Sequence, residues 1–485
     1  MTGREGNVES LSAPGGIQAM LPRAAPTLTV DSPVCVGTLT VSDFPSTFTW
    51  GVSTSAFQIE GAATAGGRGE SIWDRFTRRK GAIADGSDAA VATDHYHRLD
   101  EDLDLLSDLG VRAYRFSASW SRLAPAGRGR YLVDGWAFYE RVIDGLLERG
   151  IEPWLCLYHW DLPQALQERG GWANRDTAHY FADHVERVVE RVADRVGHLL
   201  LLNEPNVHAV LGHLLGLHAP GSADLATFLA AVHHQNLATG LAARRVREIA
   251  GSATLGTIIN LQPVTAAEEG EDHEAAAALV DAAYNRASLD PLLKGSYPDP
   301  LADLLEPFIA EGDLADIAVP LDVLGVNHYT RLHVRSDPEG PAGLGLSAPP
   351  AGSTVTAMGW EVAPAALRQQ LLTLRNEYGN PPVYVTENGA AFPDSVRSDR
   401  TGRIEDRDRA SYLCAYLREL SSAIEAGCDV RGYFVWTLVD NFEWSSGFRH
   451  RFGLVELEPH SLVRRPKLSF DVFRDIVATG RVPDA

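Results

Sequence analysis

The sequence predicts an α/β fold, a single (β/α)8 barrel of the TIM type with its functional residues at the C-terminal ends of the strands, and three observations predict it. Short apolar or β-branched runs recur eight times along the chain. Longer stretches with helical spacing and capping residues separate them, the alternation expected of βα units and a parallel sheet. Polar side chains end or follow seven of the eight runs, which is where barrel enzymes keep their chemistry.

In chain order the expected strands are Trp50 to Ser53, Ala113 to Phe116, Pro153 to Leu157, Leu199 to Leu202, Leu255 to Ile259, Val323 to Val326, Val383 to Val385 and Gly432 to Val435. Helical segments such as Tyr139 to Glu148 and Leu225 to Ile249 lie between them, and a Gly- and Pro-dense stretch from Ser336 to Thr356 reads as one long loop. A doubly wound fold would need fewer strands and a Gly-rich phosphate loop. The nearest candidate, Gly66-Gly67-Arg68-Gly69, lacks the GxGxxG spacing. Residues 1–42 are rich in Gly, Pro, Ser and Ala without periodicity and read as a flexible extension, leaving residues 43–485 as one barrel domain.

Composition narrows the function. The hydrophobic fraction of 45% and charged fraction of 22% are those of a globular protein, and no run has the length needed to span a bilayer. A net charge of −21 argues against nucleic acid or an anionic membrane surface as partner, since both select basic patches. A neutral small molecule fits better, and a homo-oligomer is not indicated. Lysine occurs only at Lys80, Lys294 and Lys467, an arginine bias read as GC-rich coding and hence a bacterial source. Cys35, Cys156, Cys414 and Cys428 show no metal-ligand spacing, and Cys156 reads as a buried thiol. The N-terminal segment has no apolar stretch of secretory-signal length, so the expected compartment is the cytoplasm.

The polar strand ends form a chemically coherent set. They are Gln58 after the first run, Arg115 on the second, His159, Trp160 and Asp161 after the third, and Asn203 with Glu204 after the fourth. Asn327 and Tyr329 follow the sixth, Glu387 the seventh and Trp436 the eighth, with Glu443 and Trp444 just beyond. A pyranose shows hydroxyls at its edge and C–H bonds on its face, so it calls for amide, imidazole and carboxylate partners plus an aromatic platform. Gln58, His159, Asn203 and Glu443 can supply the first, and Trp436 and Trp444 the second. Glu204 and Glu387 supply the two carboxylates that glycosidic hydrolysis requires. A lone histidine beside a strand is usually a satisfied polar residue, and His95, His97, His179, His198 and His460 are read so. His233-His234 is discounted as a metal site because adjacent residues do not share a helix face.

The motifs that carry these residues resemble glycoside hydrolase family 1, the β-glucosidase family. In order they are Phe57-Gln58-Ile59-Glu60-Gly61, Ser71-Ile72-Trp73-Asp74, Tyr114-Arg115-Phe116-Ser117, Tyr158-His159-Trp160-Asp161-Leu162-Pro163, Gly170-Gly171-Trp172 and Asn203-Glu204-Pro205. His218-Ala219-Pro220-Gly221, Asp290-Pro291, Gly359-Trp360, Thr386-Glu387-Asn388-Gly389, Asp440-Asn441-Phe442-Glu443-Trp444 and Arg451-Phe452-Gly453 complete the set. The resemblance implies retaining hydrolysis of unphosphorylated β-glycosides without metal or cofactor. It implies Glu387 as nucleophile, kept ionised by Arg115 and Tyr329, and Glu204 as acid/base. Retention implies carboxyl groups about 5 to 5.5 Å apart. By the same resemblance Asn203 binds the 2-hydroxyl, and Gln58, His159, Asn327, Glu443 and Trp444 serve the rest of the glycone, with Trp436 as its platform. Trp160, His208, His213, Trp360 and Phe452 are the candidates for the leaving-group side.

Departures from the family pattern fall at Leu199-Leu200-Leu201-Leu202, at His328 within Asn327-His328-Tyr329, and at Gly212-His213. Glu443 opposes a phosphorylated sugar by like-charge repulsion. Glucosides head the expected substrates, with galactosides and fucosides next. The competing expectations are a transglycosidase or tailoring enzyme for a glycosylated secondary metabolite, and a non-catalytic sugar-binding relative. The second loses ground because both carboxylates are present.

Overall fold

Eight parallel strands close on themselves: β1 (Thr49–Ser53), β2 (Ala113–Ser117), β3 (Glu152–Tyr158), β4 (His198–Asn203), β5 (Thr254–Asn260), β6 (Val323–Asn327), β7 (Val383–Asn388) and β8 (Val430–Trp436). Each pairs with the next, and β8 returns to β1 with Ser53 opposite Trp436. This computed structural model describes residues 44–398 and 401–483; the expected extension over residues 1–42, and Cys35 within it, lie outside the described residues. All eight expected strands are present, each one to three residues longer than its apolar run. The added C-terminal residues are Ser117, Tyr158, Asn203, Asn260, Asn327, Thr386, Glu387, Asn388 and Trp436, so the polar ends belong to the strands themselves.

Two apolar layers hold the barrel. Inside it, Ala113, Trp154, Cys156, Leu200, Ile258, Val323 and Phe434 form a separate buried cluster, with Tyr384 against its edge. The Trp154 ring lies 4.6 Å from Tyr384 and 5.0 Å from Phe434, which fills the lower lumen and leaves the C-terminal mouth for chemistry. Outside it, helices such as Leu99–Leu109, Asp176–Val192 and Arg407–Glu425 bury their apolar stripes against the strands in one continuous core. Leu225–Ile249 matches its expected span and starts where the Asp224 side chain accepts the Thr227 amide at 2.7 Å. The helix expected from Tyr139 begins six residues earlier, at Val133.

The stretch expected as one loop from Ser336 to Thr356 contains structure. Leu344–Leu346 pairs antiparallel with Leu332–Ser336, which runs beside Val264–Ala266, making a three-stranded sheet outside the barrel. Gly and Pro masked a strand only three residues long, and its hydrogen bonds come from a partner strand across the connection at residues 337–343, a pairing that the composition does not reveal. Gly66-Gly67 sits on a short 3-10 turn, and Arg68 pairs at 2.9 Å with Asp74, the capping-box carboxylate in the first turn of the helix Ile72–Thr77. Among the described residues no helix is long and apolar enough to cross a membrane, and no group of three or more His, Cys, Asp or Glu side chains could hold a metal ion.

Candidate active site

Both key glutamates occur where the regular ladder breaks. Pairing of β4 with β5 shifts register between Leu200 and Asn203, and β7 shifts against both neighbours after Val385. Such irregularities re-aim side chains at barrel rims. Glu387 is the fifth residue of β7 and stands opposite Asn327 on β6. Glu204 follows β4 with φ 47° and ψ 58°, turning the chain from strand to helix in one residue, and Pro205 opens the helix Pro205–Ala209. A left-handed non-glycine backbone costs about 1 kcal/mol or more and persists only where its surroundings fix it. Trp160 and Trp444 also have positive φ, so three non-glycine residues with this backbone lie at one mouth. Gly389 is needed for packing: a Cβ there would come within 1.9 Å of the Trp436 carbonyl oxygen.

The two carboxylates are joined through one hydrogen-bond network. Arg115 pairs with Glu387 Oε1, while the Tyr329 hydroxyl donates to Glu387 Oε2 at 2.6 Å. The second terminal nitrogen of Arg115, Nη2, donates to Asn203 Oδ1 at 2.6 Å, and Asn327 Nδ2 donates to the same oxygen at 3.1 Å. Asn327 Nδ2 also donates to Glu204 Oε1 at 2.8 Å, joined there by Asn260 Nδ2 at 2.7 Å. Two donors on Asn203 Oδ1 fix that amide's orientation, so its Nδ2 donates to His159 Nε2 at 3.0 Å. His159 must therefore accept at Nε2 and carry its proton on Nδ1, which has no partner among the described residues. Burial, aided by the charge of Arg115, holds its pKa well below the usual histidine value and keeps the ring neutral.

The electrostatics separate the carboxyl groups. Glu204 is 4% exposed, and its pKa is pushed up to about 8, first by burial and then by the charge of Glu387. Glu443 is also pushed up to about 8, by burial first and then by Glu387 and Glu204. Arg115 loses basicity to burial, but Glu387 and Cys156 together outweigh that and leave its pKa raised. Among the described residues only Glu387 of these three carboxyl groups has a fixed cation in contact. The arrangement thus offers one carboxylate held against a fixed cation, Glu387, beside two carboxyl groups, Glu204 and Glu443, that keep their protons at neutral pH.

The expected glycone residues gather around this pair. Gln58 Oε1 accepts from Ser55 at 2.6 Å, and its Nε2 reaches the Phe442 carbonyl at 3.0 Å, Asn441 Oδ1 at 3.2 Å and Glu443 Oε2 at 3.4 Å. The His159 ring lies 6.0 Å from Trp436 and 5.9 Å from Trp444, near parallel to both. On the other side Trp360 lies 5.4 Å from Tyr329 and 6.1 Å from Phe452. The Trp160 indole donates to the Asn203 carbonyl at 2.8 Å. His208 and His213 are fully buried; His208 stacks 6.2 Å from Trp160, and His213 lies 5.4 Å beyond it. Burial lowers the pKa of both, that of His213 to about 4.

Asn260, Thr386 and Asn441 complete the network and were not among the expected site residues. Asn260 ends β5, the one run for which no polar end was noted, and applying the same rule to that strand would have found it. Thr386 Oγ1 donates to Asn327 Oδ1 at 2.7 Å, and Asn441 Nδ2 is buried without a partner among the described residues. Histidines outside the site have structural partners, among them His95, which bonds Asp102 at 2.7 Å, His233, which bonds Tyr297 and Asp313, and His234, which bonds the Trp172 carbonyl.

A closed parallel barrel with two such carboxyl groups at its C-terminal mouth defines the class as a glycoside hydrolase. The chain belongs to glycosyl hydrolase family 1, which matches residues 40–481. It is 42% identical over 445 residues to beta-glucosidase A of Acetivibrio thermocellus, covering 90% of this chain and 98% of that one. It is also 42% identical to a bifunctional beta-D-glucosidase/beta-D-fucosidase of Bifidobacterium breve, with 90% and 98% covered. Among solved structures, the family 1 β-glucosidase of Thermotoga maritima superimposes with a TM-score of 0.88 at 40% identity, over 92% of this chain and all of that one. A psychrophilic β-glucosidase of Micrococcus antarcticus gives 0.86 at 44%, over 90% and 98%.

Proposed function

We propose that this enzyme hydrolyses terminal unphosphorylated β-D-glycosides, glucosides first and fucosides or galactosides next, with Glu387 as nucleophile and Glu204 as acid/base. The observation that carries the roles is the asymmetry of the two carboxyl groups. Glu387 lies against Arg115 and the Tyr329 hydroxyl, whereas Glu204 is bonded, among the described residues, only by neutral amides and is pushed up to about 8. A Glu387 oxygen attacks the anomeric carbon as the glycosidic C–O bond breaks, and the proton of Glu204 passes to the departing oxygen. That leaves a glycosyl ester on Glu387 and an ionised Glu204. Water then gives a proton to Glu204 while its oxygen attacks the anomeric carbon, and Glu387 departs as carboxylate. Asn203, fixed by Arg115 and His159, is assigned to the 2-hydroxyl, where a hydrogen bond strengthens as the oxocarbenium-like transition state forms. Gln58, His159, Asn327, Glu443 and Trp444 are assigned to the remaining glycone, Trp436 to its face, and Trp160, His208, His213, Trp360 and Phe452 to the leaving-group side.

Residues 43–485 are assigned to one catalytic domain. Phe44 supports that boundary, since its amide bonds the Gly480 carbonyl at 2.9 Å and its ring packs 5.0 Å from Trp50. A cytoplasmic location is supported by Cys156, Cys414 and Cys428, which are buried free thiols. A bacterial source is supported by the arginine bias together with bacterial relatives.

The experiment is nitrophenol release from β-linked aryl glucoside, galactoside, fucoside and xyloside, with the full chain and with residues 43–485. Glu387→Gln should cut turnover by roughly 10⁴-fold or more on every sugar. Glu204→Gln should cost roughly 10²- to 10⁴-fold, and less as the leaving group becomes more acidic. Equal activity of both variants with the wild type would defeat the residue roles. Loss of activity on removal of residues 1–42 would defeat the domain assignment.

A further inference from the structure

Trp360 rides a hairpin that has no place in the barrel. The Thr356 amide bonds the Trp360 carbonyl at 2.8 Å, the Val362 amide bonds the Thr354 carbonyl at 2.8 Å, and Val355 bridges Glu361. The segment meets the barrel rim through the Ala357 amide on the Ala391 carbonyl at 2.8 Å and through Met358 and Trp360, which pack on the cluster of Tyr329, Ala391, Trp436 and Phe452. The neighbouring residue Glu361 is buried, and its carboxylate collects four donors. Arg331 approaches with Nε at 2.7 Å from Oε2 and Nη2 at 2.7 Å from Oε1. His333 Nε2 lies 2.8 Å from Oε2, and Ser353 Oγ donates to Oε1 at 3.2 Å. The Thr330 hydroxyl adds a bond to the Glu361 carbonyl at 2.9 Å.

Arg331 comes from the chain just after Tyr329 and His333 from the outer strand Leu332–Ser336, so the carboxylate ties the Trp360 hairpin to both. A planar bidentate pair fixes orientation as well as distance. Tyr329 does not depend on it, because Tyr412 and Tyr416 each donate to its carbonyl, at 3.2 and 3.1 Å. Loss of the Glu361 carboxylate would therefore free Trp360 and leave the hydroxyl on Glu387 in place.

We propose that Glu361, with Arg331 and His333, is a positioning clamp that holds the Trp360 ring against Tyr329 and Phe452 and so sets how strongly the enzyme prefers aromatic leaving groups. The inference rests on the glycosidase reading of the site and adds a specificity determinant outside its contact residues. Arg331 hydrogen bonding, against a smaller opposing effect of burial, brings the Glu361 carboxyl down to about 2, so the clamp stays charged across the working pH range.

The test compares kcat/KM for a β-linked aryl glucoside and for β-glucosyl fluoride, which has no ring to stack. Glu361→Gln should lose roughly tenfold on the aryl substrate and less than about twofold on the fluoride, a misplacement effect of ordinary size. In a Trp360→Ala background the same substitution should no longer change the aryl-to-fluoride ratio, since the two residues then act as one unit. Should Glu361→Gln not fold, Arg331→Gln removes the bidentate pair from its more exposed side and should shift the ratio in the same direction. Equal losses on both substrates, or an undiminished aryl loss in the Trp360→Ala background, would overturn the clamp. A wild type inactive on both substrates would overturn the glycosidase reading itself, and the clamp with it.

Discussion

At the scale of single residues, the chemistry depends on which carboxyl group keeps its proton. Glu204 and Glu387 are both almost wholly buried, so burial does not tell them apart; contact with Arg115 and the Tyr329 hydroxyl distinguishes Glu387. Glu204 has a pKa near 8 and is protonated below that value. The acid needed for the first step is therefore present at neutral pH and is lost as pH rises through about 8. The kcat/KM of the wild type should fall with a limb near that pH, while Glu204→Gln should show none there. Glu443 complicates the reading because it too is pushed up to about 8. Glu443→Gln separates the two: if Glu204 carries the limb, its steepness persists, displaced to lower pH by removal of a neighbouring negative charge. Disappearance of the limb in Glu443→Gln would reassign it.

At the scale of elements, the site is a property of strand ends and the irregularities beside them. The eight strands were legible because each apolar run is short and bounded, and the polar residue closing it identifies the mouth. Asn203, Glu204, Asn327, Tyr329 and Glu387 were legible in this way, and the motifs around Asn203, Glu204 and Glu387 helped give the family. Register shifts, the left-handed backbone of Glu204 and the bonds among Asn203, Arg115 and His159 were not, because they depend on pairing between distant strands. Asn260 is the instructive omission, since its strand ends in a polar residue like the others but matches none of the motifs that carry the resemblance. It donates to Glu204 Oε1 at 2.7 Å, a bond that favours the ionised form and lowers the pKa of Glu204. Replacing it by alanine removes that influence, so the acid should hold its proton more tightly. The alkaline limb of kcat/KM should move to higher pH, and kcat should fall several-fold where deglycosylation limits, because ionised Glu204 loses a partner. A limb that moves down or stays in place would show that Asn260 does not tune the acid.

At the scale of the whole molecule, the mouth is stabilised from behind by charges the chemistry does not use. Lys467 is fully buried and bonds Asp394 at 2.7 Å and Asp440 at 2.8 Å, drawing together the segment after β7, the segment after β8 and the approach to the last helix. Arg409 joins the same group, pairing with Asp394 and Asp406 and donating to the Arg451 carbonyl at 2.7 Å. Asp440 begins the run Asp440-Asn441-Phe442-Glu443-Trp444, so this cluster sets the foundation of the glycone loop. Burying ions yields little net stability even when they are paired, but stranding one by removing its partner is costly. Lys467→Met should therefore destabilise the fold by about 3–5 kcal/mol, read from thermal or urea unfolding, and raise KM for the glycoside through Glu443 and Trp444. The double variant Lys467→Met with Asp440→Asn removes the carboxylate as well as the cation. It should recover much of the lost stability, and it should recover KM only so far as the new side-chain amide still accepts the Gly453 N–H, which Asp440 now accepts at 2.9 Å. A double variant no more stable than Lys467→Met would mean that the loop is held by its apolar contacts, among them Trp444 packed 4.6 Å from Trp73, and not by the charge cluster.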